Sequence, residues 1–97
     1  MKTFEEIKEV LKKQKPFLME KYGVKEIGIF GSYAKGAQKN KSDLDVLVEF
    51  GRSIGFFAFL ELEEYLANTI GVKVELVTKG ALKPKIGEYI LREVVNI

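Results

Sequence analysis

The chain has 97 residues, with 16 Lys or Arg against 14 Asp or Glu, so its formal net charge is only +2. So mild a balance does not argue for a duplex-binding protein, and we expect no direct nucleic-acid partner. Cysteine and histidine are both absent, which excludes disulfides, thiolate or imidazole metal ligands and the commonest general base. Acid–base or metal chemistry therefore depends on Asp, Glu, Lys or Tyr.

The length and hydropathy predict one small domain over residues 1–97. Apolar residues make up 46% of the chain, which is enough for a modest core without covalent cross-links. The first residues lead straight into a charged helical pattern, and no apolar run approaches membrane-spanning length. We therefore expect a cytoplasmic protein with no membrane partner.

The first half of the chain predicts a helix, a strand and a turn. The capping-box sequence Thr3-Phe4-Glu5-Glu6 begins a helix over residues 3–22, which the following proline bends near Lys15. The isoleucine-rich run from Lys25 to Phe30 is typical of a strand. Residues 33–37 then have the composition of a single helical turn.

The second half predicts two more strands and two more helices. Apolar and polar residues alternate from Asp43 to Phe50, which predicts the second strand. Ser53 is placed to cap the broad apolar helix that follows it. Val72 to Thr78 alternates again as the third strand, and Pro84 stands near the start of a final helix whose apolar residues recur four apart.

This order of elements predicts a two-layer α/β (α+β) domain with a small mixed three-stranded sheet flanked by helices. The first two strands are joined by a loop of about a dozen residues, so we expect them to be antiparallel. A helix joins the second strand to the third, which favours a parallel, right-handed crossover.

Acidic side chains gather at the start of the second predicted strand. Asp43 and Asp45 are two residues apart, so both point to one face of that strand. If the third strand pairs in register, Glu75 joins them on the same face. Ligands that are all oxygen favour Mg²⁺, with Mn²⁺ as the alternative, and Asp43 and Asp45 are placed to bridge two ions. We predict a metal site at these three acids.

A candidate phosphate site precedes the acids. Gly31-Ser32 follows the first strand, and a glycine–serine turn offers backbone N–H groups and a hydroxyl to phosphate oxygens. An antiparallel pairing brings this turn beside the acids. Lys35, Lys39 and Lys41 are three open candidates for the positive charge that a leaving pyrophosphate needs.

The spacing of these residues resembles a known family. Gly31-Ser32, ten residues and then Asp43-x-Asp45 is similar to the G-S-x10-D-x-D motif of polymerase-beta-like nucleotidyltransferases. The wider runs 31–36 and 42–50, with the third strand and the short helix after it, resemble the minimal nucleotidyltransferase (MNT) subgroup. The resemblance covers nearly the whole chain and implies the nucleotidyltransferase fold.

The resemblance implies a Mg²⁺-dependent transferase that moves AMP from ATP to a tyrosine of a HEPN-domain RNase toxin. The enzyme is then the antitoxin of that pair. Carried over by position, Gly31, Ser32 and Lys35 bind ATP or another nucleoside triphosphate. The catalytic and metal-binding acids are Asp43, Asp45 and Glu75. Glu75 stands where the family usually has aspartate, and Lys35 where it often has arginine.

Two other functions fit the same residues. The first is a binding-only antitoxin with vestigial catalysis, which the glutamate at position 75 and the short chain would suit. The second is the catalytic subunit of a two-chain small-molecule nucleotidyltransferase, whose other chain completes the pocket. The sequence also leaves open whether the chain forms a homodimer.

Overall fold

The computed structural model describes residues 3–39 and 42–97. Its elements, in chain order, are α1 (Phe4–Tyr22), β1 (Val24–Phe30), β2 (Leu44–Phe50), α2 (Phe56–Ile70), β3 (Val74–Thr78), a 3₁₀ turn (Lys79–Ala81), α3 (Pro84–Glu93) and β4 (Val95–Asn96). Within these two ranges, none of the helices is both long and apolar enough to cross a bilayer.

The first helix begins as the sequence predicted. The Thr3 hydroxyl accepts a hydrogen bond from the Glu6 backbone N–H at 3.2 Å, and the Glu6 carboxylate accepts one from the Thr3 N–H at 3.2 Å. α1 continues through Pro16 as one element, and its predicted bend near Lys15 stays a prediction. Gly23 ends it in the left-handed conformation, with φ of 73°.

The sheet confirms both predicted pairings and adds a strand. β1 and β2 are antiparallel, β2 and β3 are parallel, and the spatial order is β3-β2-β1-β4. The prediction of three strands was wrong by one, because β4 has only two residues and is too short to show an alternation. β4 pairs antiparallel to β1, with Asn96 beside Gly28. A Cβ on Gly28 would lie 2.6 Å from a Val94 methyl carbon, so glycine permits this close approach.

The core lies between the sheet and the pair α1 and α2. Alternate residues of β2 point into it, and Leu44, Val46 and Val48 are buried as predicted. The opposite face of β2 carries Asp45, Leu47 and Glu49. Leu47 is also buried, and it lines a cavity of about 210 Å³ together with Leu91 of α3.

Two predicted boundaries need correction. Ser53 does not cap α2: the helix begins at Phe56, its N-cap is Gly55, and no side chain caps it. The third strand begins at Val74, two residues later than predicted, because only Val74 onward pairs with β2.

The predicted helical turn over residues 33–37 is a tight turn outside any regular helix. The Lys35 N–H donates to the Gly31 carbonyl at 3.2 Å, which is the spacing of an α-helix. The Ala37 N–H reaches one residue further, to the Ser32 carbonyl at 2.9 Å. Because one hydrogen bond spans four residues and the other spans five, the regular pattern of an α-helix does not continue through this segment.

The final helix is only partly packed. Pro84 occupies its first turn, where the missing N–H costs no hydrogen bond, as the sequence predicted. Gly87 is its buried residue, and a Cβ there would lie 3.0 Å from the Leu82 Cβ. Ile86 is 60% exposed although it belongs to the predicted apolar stripe.

Candidate active site

The sheet register brings the three predicted acids to one end of the sheet. Asp45 of β2 pairs with Phe30 at the end of β1 on one side and with Glu75 of β3 on the other. Paired neighbours in a sheet point to the same face, so Asp45 and Glu75 lie side by side. Asp43 precedes Asp45 by two residues on that face. The in-register pairing expected for Glu75 is confirmed.

Gly31 is in close contact with the Asp45 carboxylate. Its φ is 75°, a conformation that residues with a Cβ rarely adopt. A Cβ at this position would collide with the Asp45 carboxylate oxygen and lie 3.0 Å from its carboxyl carbon. Two constraints therefore require glycine at this position: the backbone conformation and the acid packed against it. The phosphate turn and the acids share one site.

The turn after β1 presents unpaired N–H groups. The N–H of Lys35 is taken by the Gly31 carbonyl, but the N–H groups of Ser32, Tyr33 and Ala34 have no acceptor among residues 3–39 and 42–97. The Tyr33 side chain is buried, which fixes the turn to the core. Three consecutive donors with no partner are suited to the oxygens of a phosphate group.

The acids repel one another. The pKa of Asp45 is raised above its ordinary value, first by burial of the carboxyl and then by the negative charges of Glu75 and Asp43. The nearest cation paired with these acids is Lys73, whose Nζ lies 3.9 Å from an Asp43 oxygen. The lysine side chain is 82% exposed, so the pair contributes little. A cation bound here would relieve the repulsion.

The donor set fits an oxygen-preferring metal, but the side chains do not yet form its cage. Among the described residues, no three acidic side chains converge closely enough to hold one ion. Asp43 turns toward Lys73, while Asp45 lies against Gly31. Glu75 is exposed and Asp43 is partly exposed, so rotation of these two side chains meets little packing. Carboxylate oxygens alone are the ligands that Mg²⁺ and Mn²⁺ prefer.

The predicted lysines differ in their surroundings. The Lys35 ammonium donates a hydrogen bond to the Tyr89 hydroxyl and lies 4.9 Å from the centre of the Tyr89 ring. The hydrogen bond to Tyr89 is also the largest cause that raises the pKa of Lys35, followed by the charges of Tyr89 and Glu93. The Lys39 side chain is exposed, and Lys41 lies outside the described residues.

Tyr89 is the site neighbour that the sequence did not predict. It lies 54 positions from Lys35, and its place in α3 follows no motif that spacing could reveal. Tyr89 stands between Glu88 and Ile90 in the final helix, and this local pattern carries no signal of a functional role.

A large cavity in the described part of the chain lies elsewhere. A groove of about 900 Å³ opens at the other end of β2, beside the first turn of α2. Its charged residues are already paired: Lys79 lies 3.9 Å from Glu49, and Arg52 donates to the Lys21 carbonyl at 2.9 Å. Volume alone would favour this groove, but the chemistry points to the acids, because only they combine clustered carboxylates with unpaired N–H groups.

Comparison with known proteins agrees with this site. The profile of the nucleotidyltransferase domain family matches residues 11–96. Protein adenylyltransferase MntA of Thermococcus cleftensis is 47% identical over 97 residues, which cover all of this chain and 98% of that protein.

Solved structures share the fold. One described provisionally as a minimal nucleotidyltransferase superposes with a TM-score of 0.79 at 29% identity, over 99% of this chain and 97% of that one. The MNT antitoxin bound to a tri-AMPylated HEPN toxin of Shewanella oneidensis has a TM-score of 0.61 at 20% identity. That match covers 96% of this chain and 66% of the antitoxin. With a family profile over nearly its whole length, the chain belongs to the nucleotidyltransferase domain family, in its minimal nucleotidyltransferase group.

Proposed function

We propose that this chain is a protein adenylyltransferase that transfers AMP from ATP to a tyrosine of a HEPN-type toxin and so acts as its antitoxin. The observation that carries the proposal is the contact of the Asp45 carboxylate with Gly31, with Glu75 alongside. This contact places the proposed phosphate-binding turn beside the acids. The name of the Thermococcus cleftensis relative favours a protein as the acceptor over a small molecule.

Each part of the site has a role in this reaction. The free N–H groups after Gly31 and the Ser32 hydroxyl bind oxygens of the triphosphate. Asp43, Asp45 and Glu75 are the residues that would hold Mg²⁺, which when bound neutralises the phosphate charge and polarises the reacting oxygens. Lys35, held at the rim by Tyr89, adds positive charge near the turn.

The transfer itself is a displacement at the α-phosphorus. The acceptor tyrosine oxygen forms a bond to that phosphorus while the bond to the bridging oxygen of the β-phosphate breaks, and pyrophosphate leaves with the electron pair. The phenol proton passes to solvent. The turn's N–H groups stay in place during the reaction, so they stabilise the developing charge without reorganisation.

The direct test is transfer to a HEPN-domain partner encoded in the same genome. The purified partner is incubated with the chain, ATP and Mg²⁺, and its intact mass is measured. We expect a gain of one or more adenylyl groups, which Asp43→Asn abolishes and Glu49→Gln leaves intact. Glu49 lies on β2 with Asp45 but at the other end of the strand, so the pair of variants separates local chemistry from a general loss of negative charge. Full transfer by Asp43→Asn would refute the metal role.

A second candidate, the binding-only antitoxin, is favoured by one observation. The acids do not converge on a common point among the described residues, and Glu75 is longer than the family's usual aspartate. If binding alone neutralises the toxin, Asp43→Asn still protects cells that express the partner. Toxicity of the partner in cells that carry this variant would eliminate the candidate.

A further inference from the structure

The four tyrosines of the chain differ sharply in access to solvent. Tyr22 and Tyr33 are buried, at 3% and 1% exposure. The Tyr65 hydroxyl donates to Gln14 between α1 and α2, in a half-buried position. Tyr89 is 53% exposed, and all four lie within the described residues. Tyr89 is thus the most exposed of the four tyrosines.

Tyr89 is also linked to the phosphate turn, whose own tyrosine, Tyr33, is buried. Its hydroxyl accepts a hydrogen bond from the Lys35 ammonium, and the backbone N–H of Lys35 donates to the Gly31 carbonyl at 3.2 Å. Lys35 therefore bonds to the Tyr89 hydroxyl through its side chain and to Gly31 through its backbone. Gly31 in turn packs against Asp45. Leu91 of α3 and Leu47 of β2 line one cavity, and Leu47 lies two residues beyond Asp45 on the same face of β2, so α3 lies on the side of the sheet that carries Asp45.

We propose that Tyr89 is an adenylyl acceptor of the chain itself. This inference rests on the proposed function, because it uses the same donor and the same site. The Tyr89 oxygen forms a bond to the α-phosphorus of ATP, the bond between that phosphorus and the oxygen bridging to the β-phosphate breaks, and pyrophosphate leaves. The phenol proton passes to solvent, and the product is a phosphodiester between Tyr89 and AMP.

Lys35 prepares this oxygen for the reaction. Its ammonium donates to one lone pair of the hydroxyl and leaves the other free for attack. The positive charge stabilises negative charge on the oxygen as the proton departs. The 4.9 Å between the ammonium and the ring centre follows from this same hydrogen bond, because the hydroxyl oxygen lies between them. An exposed tyrosine would otherwise rotate freely, so this contact restricts it toward the phosphate turn.

The experiment uses the full chain alone, with Mg²⁺ and ATP labelled at the α-phosphate. We expect one adenylyl group on the intact chain, located by fragmentation on the tryptic peptide 86–92, which contains Tyr89. Tyr89→Phe keeps the ring beside Lys35 and removes the acceptor oxygen, so labelling falls to background. Tyr65→Phe is the matched control and stays labelled. Asp43→Asn stays unlabelled, because the donor site is lost.

The outcomes separate this inference from the function on which it rests. Adenylylation of the HEPN partner without any label on Tyr89 overturns the inference and leaves the function intact. Labelling of Tyr89→Phe at another residue also overturns it. The inference is also overturned if the wild type carries no label and Tyr89→Phe raises the KM for ATP in transfer to the partner. Tyr89 would then be a residue that positions Lys35. If neither the partner nor the chain is labelled, the proposed function itself fails. The intramolecular geometry further predicts a labelling rate per chain that does not change on dilution.

Discussion

The charged side chains at the two ends of β2 are in opposite environments: they are paired at one end and clustered with like charges at the other. At the groove end, Glu49 is paired with Lys79, and Arg52 caps the carbonyl groups at the end of α1. At the proposed catalytic end, Asp45 and Glu75 lie side by side, and burial and neighbouring charge raise the pKa of Asp45. Neutralised charges stabilise the fold, whereas clustered like charges destabilise it unless a cation binds. Unrelieved repulsion therefore supports a site at the acidic end more strongly than cavity volume supports one at the groove end.

The largest expected effect is the loss of transfer at the catalytic end. Asp45→Asn keeps the shape of the side chain and removes its charge, so we expect adenylyl transfer to fall by at least about 10²-fold, as when a group that stabilises transition-state charge is removed. Glu49→Gln makes the same chemical change on the same face of β2 and should leave the rate unchanged. Rates with labelled ATP check both. Equal losses would show that the two ends do not differ in function.

The next effect concerns the two glycines of the phosphate turn. Gly31 and Gly36 both have positive φ, of 75° and 70°, so alanine at either costs about 1 kcal/mol of unfolding free energy. Only at Gly31 does the new Cβ meet Asp45, because nothing lies within 4 Å of a Cβ at Gly36.

We therefore expect Gly31→Ala to lose more stability than Gly36→Ala and to lose transfer far more strongly, since Asp45 must move. Urea denaturation and transfer rates measure the two effects. Equal behaviour of the two variants would mean that the contact between Gly31 and Asp45 has no part in the reaction.

A smaller effect is expected at the third acid. Glu75 is exposed on an edge strand, and its side chain is one methylene longer than the aspartate usual in the family. We expect Glu75→Gln to lower transfer by about tenfold, the equivalent of about 1.4 kcal/mol in the barrier. Glu75→Asp should retain activity, because the carboxylate remains. Transfer rates at several Mg²⁺ concentrations test this, and an unaffected Glu75→Gln would remove Glu75 from the metal site.

Removal of the Asp45 charge should raise the stability of the fold at neutral pH while it lowers the activity. Because folding raises the pKa of Asp45 above its ordinary value of 3.8, its contribution to stability is full below that value and is lost as pH rises through the folded pKa. Asp45→Asn should therefore melt at a higher temperature than the wild type at neutral pH without Mg²⁺.

The difference in melting temperature between Asp45→Asn and the wild type should vanish as the pH falls below 3.8. Added Mg²⁺ should raise the melting temperature of the wild type and leave the variant nearly unchanged, because only the wild type binds the ion tightly. Thermal melts over pH and Mg²⁺ concentration measure this. A variant less stable than the wild type at neutral pH would contradict the repulsion among the acids.

The smallest effect is expected at the groove end. Phe57 is 83% exposed at the start of α2, so Phe57→Ser removes little buried area and should change the unfolding free energy by less than about 0.5 kcal/mol. Labelling of the chain alone should also be unchanged. Denaturation and the labelling assay check this variant, and a clear loss in either would show that the two ends of the sheet are coupled.

The sequence by itself determined the three main helices, the three main strands and the candidate residues of the proposed site. Period-two alternation placed Asp43 and Asp45 on one face, and the capping box placed the start of α1 correctly. The loop and helix connections gave the correct directions of the three main strands. These features follow from local periodicity and connection length, which a single sequence records directly.

Only the tertiary structure decided the contacts between distant segments. The in-register neighbour of Asp45, the packing of its carboxylate on Gly31 and the bond from Lys35 to Tyr89 each join residues far apart in the chain. No local periodicity encodes such pairs, because the first two depend on how the strands pair and the third on where α3 lies. β4 escaped prediction for the same reason, since a two-residue strand exists only through its partner β1. The candidate residues of the proposed site can thus be named from the sequence, whereas the repulsion among the acids and the contacts between distant segments arise only on folding.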